Sequence, residues 1–169
     1  MIQSSNSLIG RSLVSGTIAG LTTATAAALA GRYETASFAA PLNATSHIVW
    51  GDKAAWQNRP SMKYTMTGFL LNHASAIFWA GFYEKWFAPR PGETNVSPLR
   101  PVIGALVVTA GAYVTDYYLV PERLTPGFEK RLSNRSLAAV FGALALGLAI
   151  SGFVGRRQAE QGAEYSLPR

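Results

Sequence analysis

The chain has 169 residues, 49% of them hydrophobic and only 14% charged, with a formal net charge of +6 and no cysteine. A soluble domain averages roughly 25% charged residues, and here the charges sit in short clusters between long uncharged stretches, which fits a polytopic membrane protein better than a globular enzyme. The missing cysteine excludes disulfides, thiolate chemistry and Cys-ligated metals, and with no basic run longer than two residues the positive charge suits anionic lipid headgroups rather than nucleic acid.

A bilayer core of ~30 Å needs about 20 helical residues, and four stretches are long enough. They run over about Ser12–Ala30, Tyr64–Trp86, Pro101–Val120 and Ser136–Gly155. The expected fold is therefore all-α: one domain over residues 1–155, a transmembrane four-helix bundle with short interfacial helices in the first and third connections. A polar tail, 156–169, follows and is expected to be disordered.

The first span has a rival reading. Arg11, the apolar stretch after it and the ending Ala28-Leu29-Ala30 resemble a signal peptide. The uncharged ten-residue lead and the length of the threonine-rich stretch favour a retained helix. This span repeats small residues every four positions: Ser12, Gly16, Gly20, Ala24 and Ala28. Such a stripe lets helix backbones approach closely, which drives association where hydrophobicity does not.

The first connection, Arg32 to Lys63, is too broken by Pro41, Asn43, His47 and Gly51 to span. It reads as an interfacial or re-entrant piece with Trp50 and Trp56 as anchors. Ser61 is placed to cap the second span.

That second span carries Asn72 and His73 near its middle and Glu84 near its end. Polar groups inside a span are costly and face the bundle interior. His73 and Glu84 are eleven residues apart, about 1,100° of rotation, so they share a face about 16 Å apart along the axis. For His73 three roles stay open: an interhelical hydrogen bond, a proton relay or ion site, or metal or haem ligation with His47, the only other histidine. Glu84, beside Lys85 and Trp86, is expected to be solvated at the interface.

The third span starts at Pro101, where a missing N–H is tolerated, and Pro121 ends it. Asp116 lies about one turn before its end, where interfacial solvation is expected, with pairing to a loop arginine (Arg123 or Arg135, less readily Arg100) as the alternative. In the third connection Thr125 and Pro126 read as the start of a short surface helix through Leu132. Ser133, Asn134 and Ser136 offer caps for the fourth span, whose own stripe is Ala139, Ala143, Gly147, Ser151 and Gly155. Gly104 and Gly111 add a sparser stripe to the third span.

Positive charge does not orient the chain: one side of a four-span topology holds seven Lys and Arg and the other eight. No nucleophile elbow, P-loop, dinucleotide fingerprint or H-E-x-x-H motif is present, so no enzyme is indicated.

The stretches "APLNATSHIVWGDKAAW" and "NHASAIFWAGFYE" resemble segments of small, uncharacterised bacterial inner-membrane proteins. The resemblance covers about the middle third of the chain. It implies a bacterial inner membrane and draws interest to His47 and His73, but it implies no activity.

The expectation is a small integral membrane protein with a structural, accessory or regulatory role exercised through helix packing. Its partners are the bilayer and either a second copy or another membrane protein, and no cofactor is implied. The alternative is a proton- or ion-coupled transporter using His73 with Asp116 or Glu84. A haem- or metal-binding redox subunit comes third.

Overall fold

The computed structural model describes the backbone of residues 7–90, 93 and 97–165, with side chains as far as residue 157. Every regular element among these residues is helical. Helix α1, Leu8–Thr35, opens where the Ser7 hydroxyl accepts the Gly10 N–H at 3.0 Å, and it closes at Ala36, which is left-handed with φ 56°. Two short helices follow, α2 (Ala40–Thr45) and α3 (His47–Trp50), then a 3₁₀ turn, Asp52–Trp56. A π turn over Met62–Met66, capped by Ser61, leads into α4, Thr67–Trp86. Helix α5, Leu99–Val114, continues as a π turn, Thr115–Leu119, and stops at the extended Val120 before Pro121. Two 3₁₀ turns, Glu122–Leu124 and Phe128–Lys130, precede α6, Asn134–Tyr165. Helix α6 thus does not stop at Gly155, and ten residues of the expected tail are helical. Residues 166–169 lie outside the described part.

Three segments are long and apolar enough to cross a membrane: Leu8–Thr35, Leu99–Leu119 and Asn134–Arg157. Helix α4 has 20 residues but is more polar and falls outside that set. The distribution of side chains points the same way. Among the described residues, 14 of the 23 buried apolar side chains are alanines, while Ile9, Leu13, Val14, Leu70, Phe78, Ile103, Leu106, Leu146 and Phe153 are exposed. A soluble core buries its large aliphatics. Here small residues bring helices together and large ones cover the outside, as lipid permits.

Neighbouring helices are antiparallel. A Cβ on Gly16 would land 2.4 Å from Ile77 Cα, and one on Gly20 would land 2.8 Å from His73 Nδ1, so α4 descends as α1 rises. On its other side α1 meets α6, where a Cβ on Gly147 would lie 2.5 Å from Ala19 Cα and the Thr22 hydroxyl donates to the Ala143 carbonyl at 2.9 Å. The two stripes therefore do not face each other: Gly16 and Gly20 serve α4, and Gly147 is filled by a different face of α1. Ala139 is exposed, so the α6 stripe packs only from Ala143 to Ser151.

The order round the bundle is α4–α1–α6–α5. Helices α4 and α5 close the ring only at one end, where a Cβ on Gly104 would lie 2.2 Å from Phe87 Cβ and Tyr83 reaches the Pro101 carbonyl. Gly111 is seven residues on and within about 20° of the same face, yet nothing lies within 4 Å of its Cβ position. The stripe of Gly104 and Gly111 is half packed and half open because α5 diverges from α4.

Both connections at the open end fold inward. All six residues of α2 are buried. The Asn43 side chain donates to the carbonyls of Gln57 and Arg59 at 2.9 and 3.1 Å and accepts from the Thr65 hydroxyl at 2.7 Å, satisfying an amide with no water around it. Trp50 and Trp56 remain exposed, with Lys63 and Arg131 over their rings. In the third connection the expected helix from Thr125 shrinks to the turn Phe128–Lys130. The Thr125 hydroxyl donates back to the Glu122 carbonyl and forward to the Glu129 carboxylate, and Gly127, at φ 80°, starts the turn instead.

Candidate functional site

Three polar side chains of α4, Asn72, His73 and Glu84, are spent on α1. Glu84 is 5% exposed, and Arg11 Nε donates to one of its oxygens at 3.0 Å while the Ser15 hydroxyl donates to the other. This corrects the expectation of a solvated interfacial carboxylate. Arg11 lies near the start of α1 and Glu84 near the end of α4, so antiparallel pairing puts them at one depth. A buried carboxylate persists because a cation and a hydroxyl replace its water. Eleven residues earlier on the same face, His73 Nε2 lies 3.3 Å from the Thr17 hydroxyl, Nδ1 has no hydrogen-bond partner, and the ring stacks on Phe69. Asn72 Nδ2 donates to the Gly20 carbonyl at 3.0 Å. The shared face read from the spacing is the α1-facing side of α4.

Asp116 stands apart from this seam. It sits in the π turn after α5 and takes no ion pair or hydrogen bond among the described residues, so none of the candidate loop arginines engages it. Arg100, one of those arginines, pairs with Glu93 in the second connection. There the Arg90 backbone N–H, followed by the Arg100 side chain, holds the Glu93 carboxyl below the usual carboxylate range.

Asp116 lines a cavity of ≈ 340 Å³ that lies between α4 and α6. Its walls are Leu71, Asn72, Ser75, Phe78 and Trp79 of α4 and Val140, Phe141 and Leu144 of α6. Thr23 of α1 lies at the back. Thr45, Ile48, Leu124 and Phe128 close the end. Asn72 thus touches both regions, its amide nitrogen on α1 and its residue surface on the cavity. His73 and Glu84 are not among the lining residues.

His47 belongs to a third place. It is 2% exposed, and its Nδ1–H donates to the Ala44 carbonyl at 2.8 Å, which leaves Nε2 as a lone pair without a partner. It borders a polar pocket of ≈ 210 Å³ with Asp52, Glu122, Arg123 and Lys130, where Lys130 pairs with Asp52 at 3.4 Å and with Glu122 at 3.8 Å. The two histidines have separate surroundings, so they are not assembled as a pair. No group of three or more His, Asp or Glu among the described residues is placed to hold a metal ion.

The five residues singled out by sequence therefore divide among an α1–α4 seam, a lateral cavity and a polar pocket in the connections. Sequence reasoning missed the cavity and the Arg11–Glu84 pair. The pair had a signal in equal depth from opposite helix ends, whereas the cavity had none beyond the polar Ser75 and Asp116. Compared with protein-family models, curated proteins and solved structures, the chain matches none.

Proposed function

We propose that the chain is an integral membrane protein of four spans, α4 included, with an accessory or regulatory rather than catalytic role. It would act by packing and binding within the bilayer. The cavity between α4 and α6 carries this reading: a bundle serving only its own stability would close that gap, whereas this one keeps ≈ 340 Å³ beside an unpartnered carboxyl. The polar face of α4 supports its place as a span, because Asn72, His73 and Glu84 all turn towards α1 and leave Leu70 and Phe78 outward. A bacterial inner membrane is proposed on the resemblance of the two stretches around His47 and His73. The exposed Trp50 and Trp56 suit an interfacial placement of the first connection.

The arrangement gives the transport alternative less support. It needs His73 to act with Asp116 or Glu84, but Glu84 is held by Arg11 and Ser15, and Asp116 lines a cavity that His73 does not. The test begins with alkaline carbonate extraction of native membranes, where an integral protein stays in the pellet. Purification in mild detergent followed by mass spectrometry should then recover a bound lipid-like molecule or a partner subunit. Release by carbonate would refute the membrane reading, and protein that is always solitary and empty would refute the accessory role.

A further inference from the structure

Resting on that reading, we propose that the cleft between α4 and α6, with Asp116 of the turn after α5 at its edge, binds a single-chain amphiphile with an amine head, the ammonium at Asp116 and the alkyl chain along Phe78, Trp79, Phe141 and Leu144.

Size limits the guest. The cavity of ≈ 340 Å³ lies near the bottom of the range for ligand pockets, about 300–1,000 Å³. A helix with its side chains is about 10–12 Å across, so two turns sweep about 1,000 Å³ and would not enter. One alkyl chain would.

Access is from the side. Ala74, Ser75 and Phe78 line the cavity and are exposed on the outer face of α4. A guest already in the bilayer reaches the cleft without crossing water.

The polar groups set the head. Those lining the cavity are mainly acceptors: the Asp116 carboxylate, and the Asn72 oxygen, since that amide's nitrogen is bonded to the Gly20 carbonyl; the Ser75 hydroxyl at the mouth can donate or accept. The hydroxyl protons of Thr23 and Thr45 are used on the carbonyls of Ala19 and Pro41, which leaves their lone pairs. Among the described residues, no lysine or arginine lines the cavity. An anionic head would meet a carboxylate in a poorly hydrated place, and a choline-type head has no N–H to give. A primary ammonium has three donors and the compensating charge.

The test uses the full chain in phosphatidylcholine nanodiscs, with Trp50, Trp56 and Trp86 replaced by Phe so that Trp79 reports alone. Terminally brominated dodecylamine should quench Trp79 saturably and be displaced by plain dodecylamine, while brominated dodecanoate and dodecanol should bind at least about tenfold more weakly, the scale of one charged hydrogen bond. Asp116→Asn should weaken amine binding by a similar factor and Asp116→Glu should keep it. Ser75→Leu, at the mouth, should block it without lowering the unfolding midpoint. Equal binding of the three heads, or undiminished amine binding by Asp116→Asn, overturns the proposal. Carbonate extraction of the same proteins separates the two failures: release refutes the membrane reading, and retention without amine selectivity refutes this inference alone.

Discussion

Gly142 and Gly147 stand five residues apart on α6, and their surroundings are opposite. A Cβ on Gly147 would sit 2.5 Å from Ala19 Cα, 2.5 Å from the Thr22 hydroxyl and 3.1 Å from Ala19 N, whereas nothing lies within 4 Å of a Cβ on Gly142. Two of the three atoms facing Gly147 are backbone, so no rotamer change relieves the clash. Helix α6 must retreat from α1 by about 1 Å to restore ordinary contact, and a radial gap of that size forfeits about a quarter to a half of the dispersion energy of each facing atom pair. Overpacking of this kind costs about 1–3 kcal/mol. The retreat also strains the Thr22–Ala143 bond, which spans the same interface. At Gly142 alanine meets no atom and reduces the freedom of the unfolded helix, a gain of about 0.5–1 kcal/mol. The same gain applies at Gly147, so Gly147→Ala and Gly142→Ala should differ by the overpacking cost, about 1–3 kcal/mol, and Gly147→Leu should lose more again. Reversible unfolding by SDS titration in mixed micelles, followed by circular dichroism, measures the difference. Equal midpoints for the two alanine variants would refute close backbone packing as the source of the α1–α6 interface.

Two further outcomes test other parts of the structure in the same assay. Glu84→Ala removes the carboxylate that pairs with Arg11 and should cost about 3 kcal/mol, the lower end for a broken buried pair because Arg11 is 23% exposed; adding Arg11→Met should recover much of the loss, and a double variant no better than the single one would refute the pairing. Gly127→Ala combines φ 80° with a Cβ 2.6 Å from the Ala44 carbonyl, while Gly51→Ala combines φ 74° with open space. Gly127→Ala should lose about 1–2 kcal/mol for the left-handed backbone and a further ~1–3 kcal/mol for the clash, while Gly51→Ala, whose ψ of 178° lies in a region essentially restricted to glycine, should lose about 1–3 kcal/mol for its backbone alone; a Gly127→Ala loss of no more than about 1–2 kcal/mol would show that α2 does not press on that turn.

The helices themselves were legible in the sequence, because their signals are local. Length without charge marks Ser12–Ala30 and Ser136–Gly155, and caps such as Ser61 and stops such as Pro121 act within a few residues of the boundary. The common face of His73 and Glu84 was equally available, since helical rotation is a property of one segment. What that face touches was not. Glu84 reads as an interfacial carboxylate while its neighbours in sequence, Lys85 and Trp86, are its only visible company, and it becomes a buried ion pair once a residue 73 positions away arrives at the same depth. Asp116 reads as a solvated carboxylate or a candidate for a loop arginine and instead borders a cavity, because the order α4–α1–α6–α5 leaves a gap between α4 and α6. Composition and periodicity determine that small residues line some helix faces and large ones others. Which stripe meets which helix, and which pair stays apart, depends on contacts between segments far apart along the chain. Those contacts exist only after the bundle has assembled.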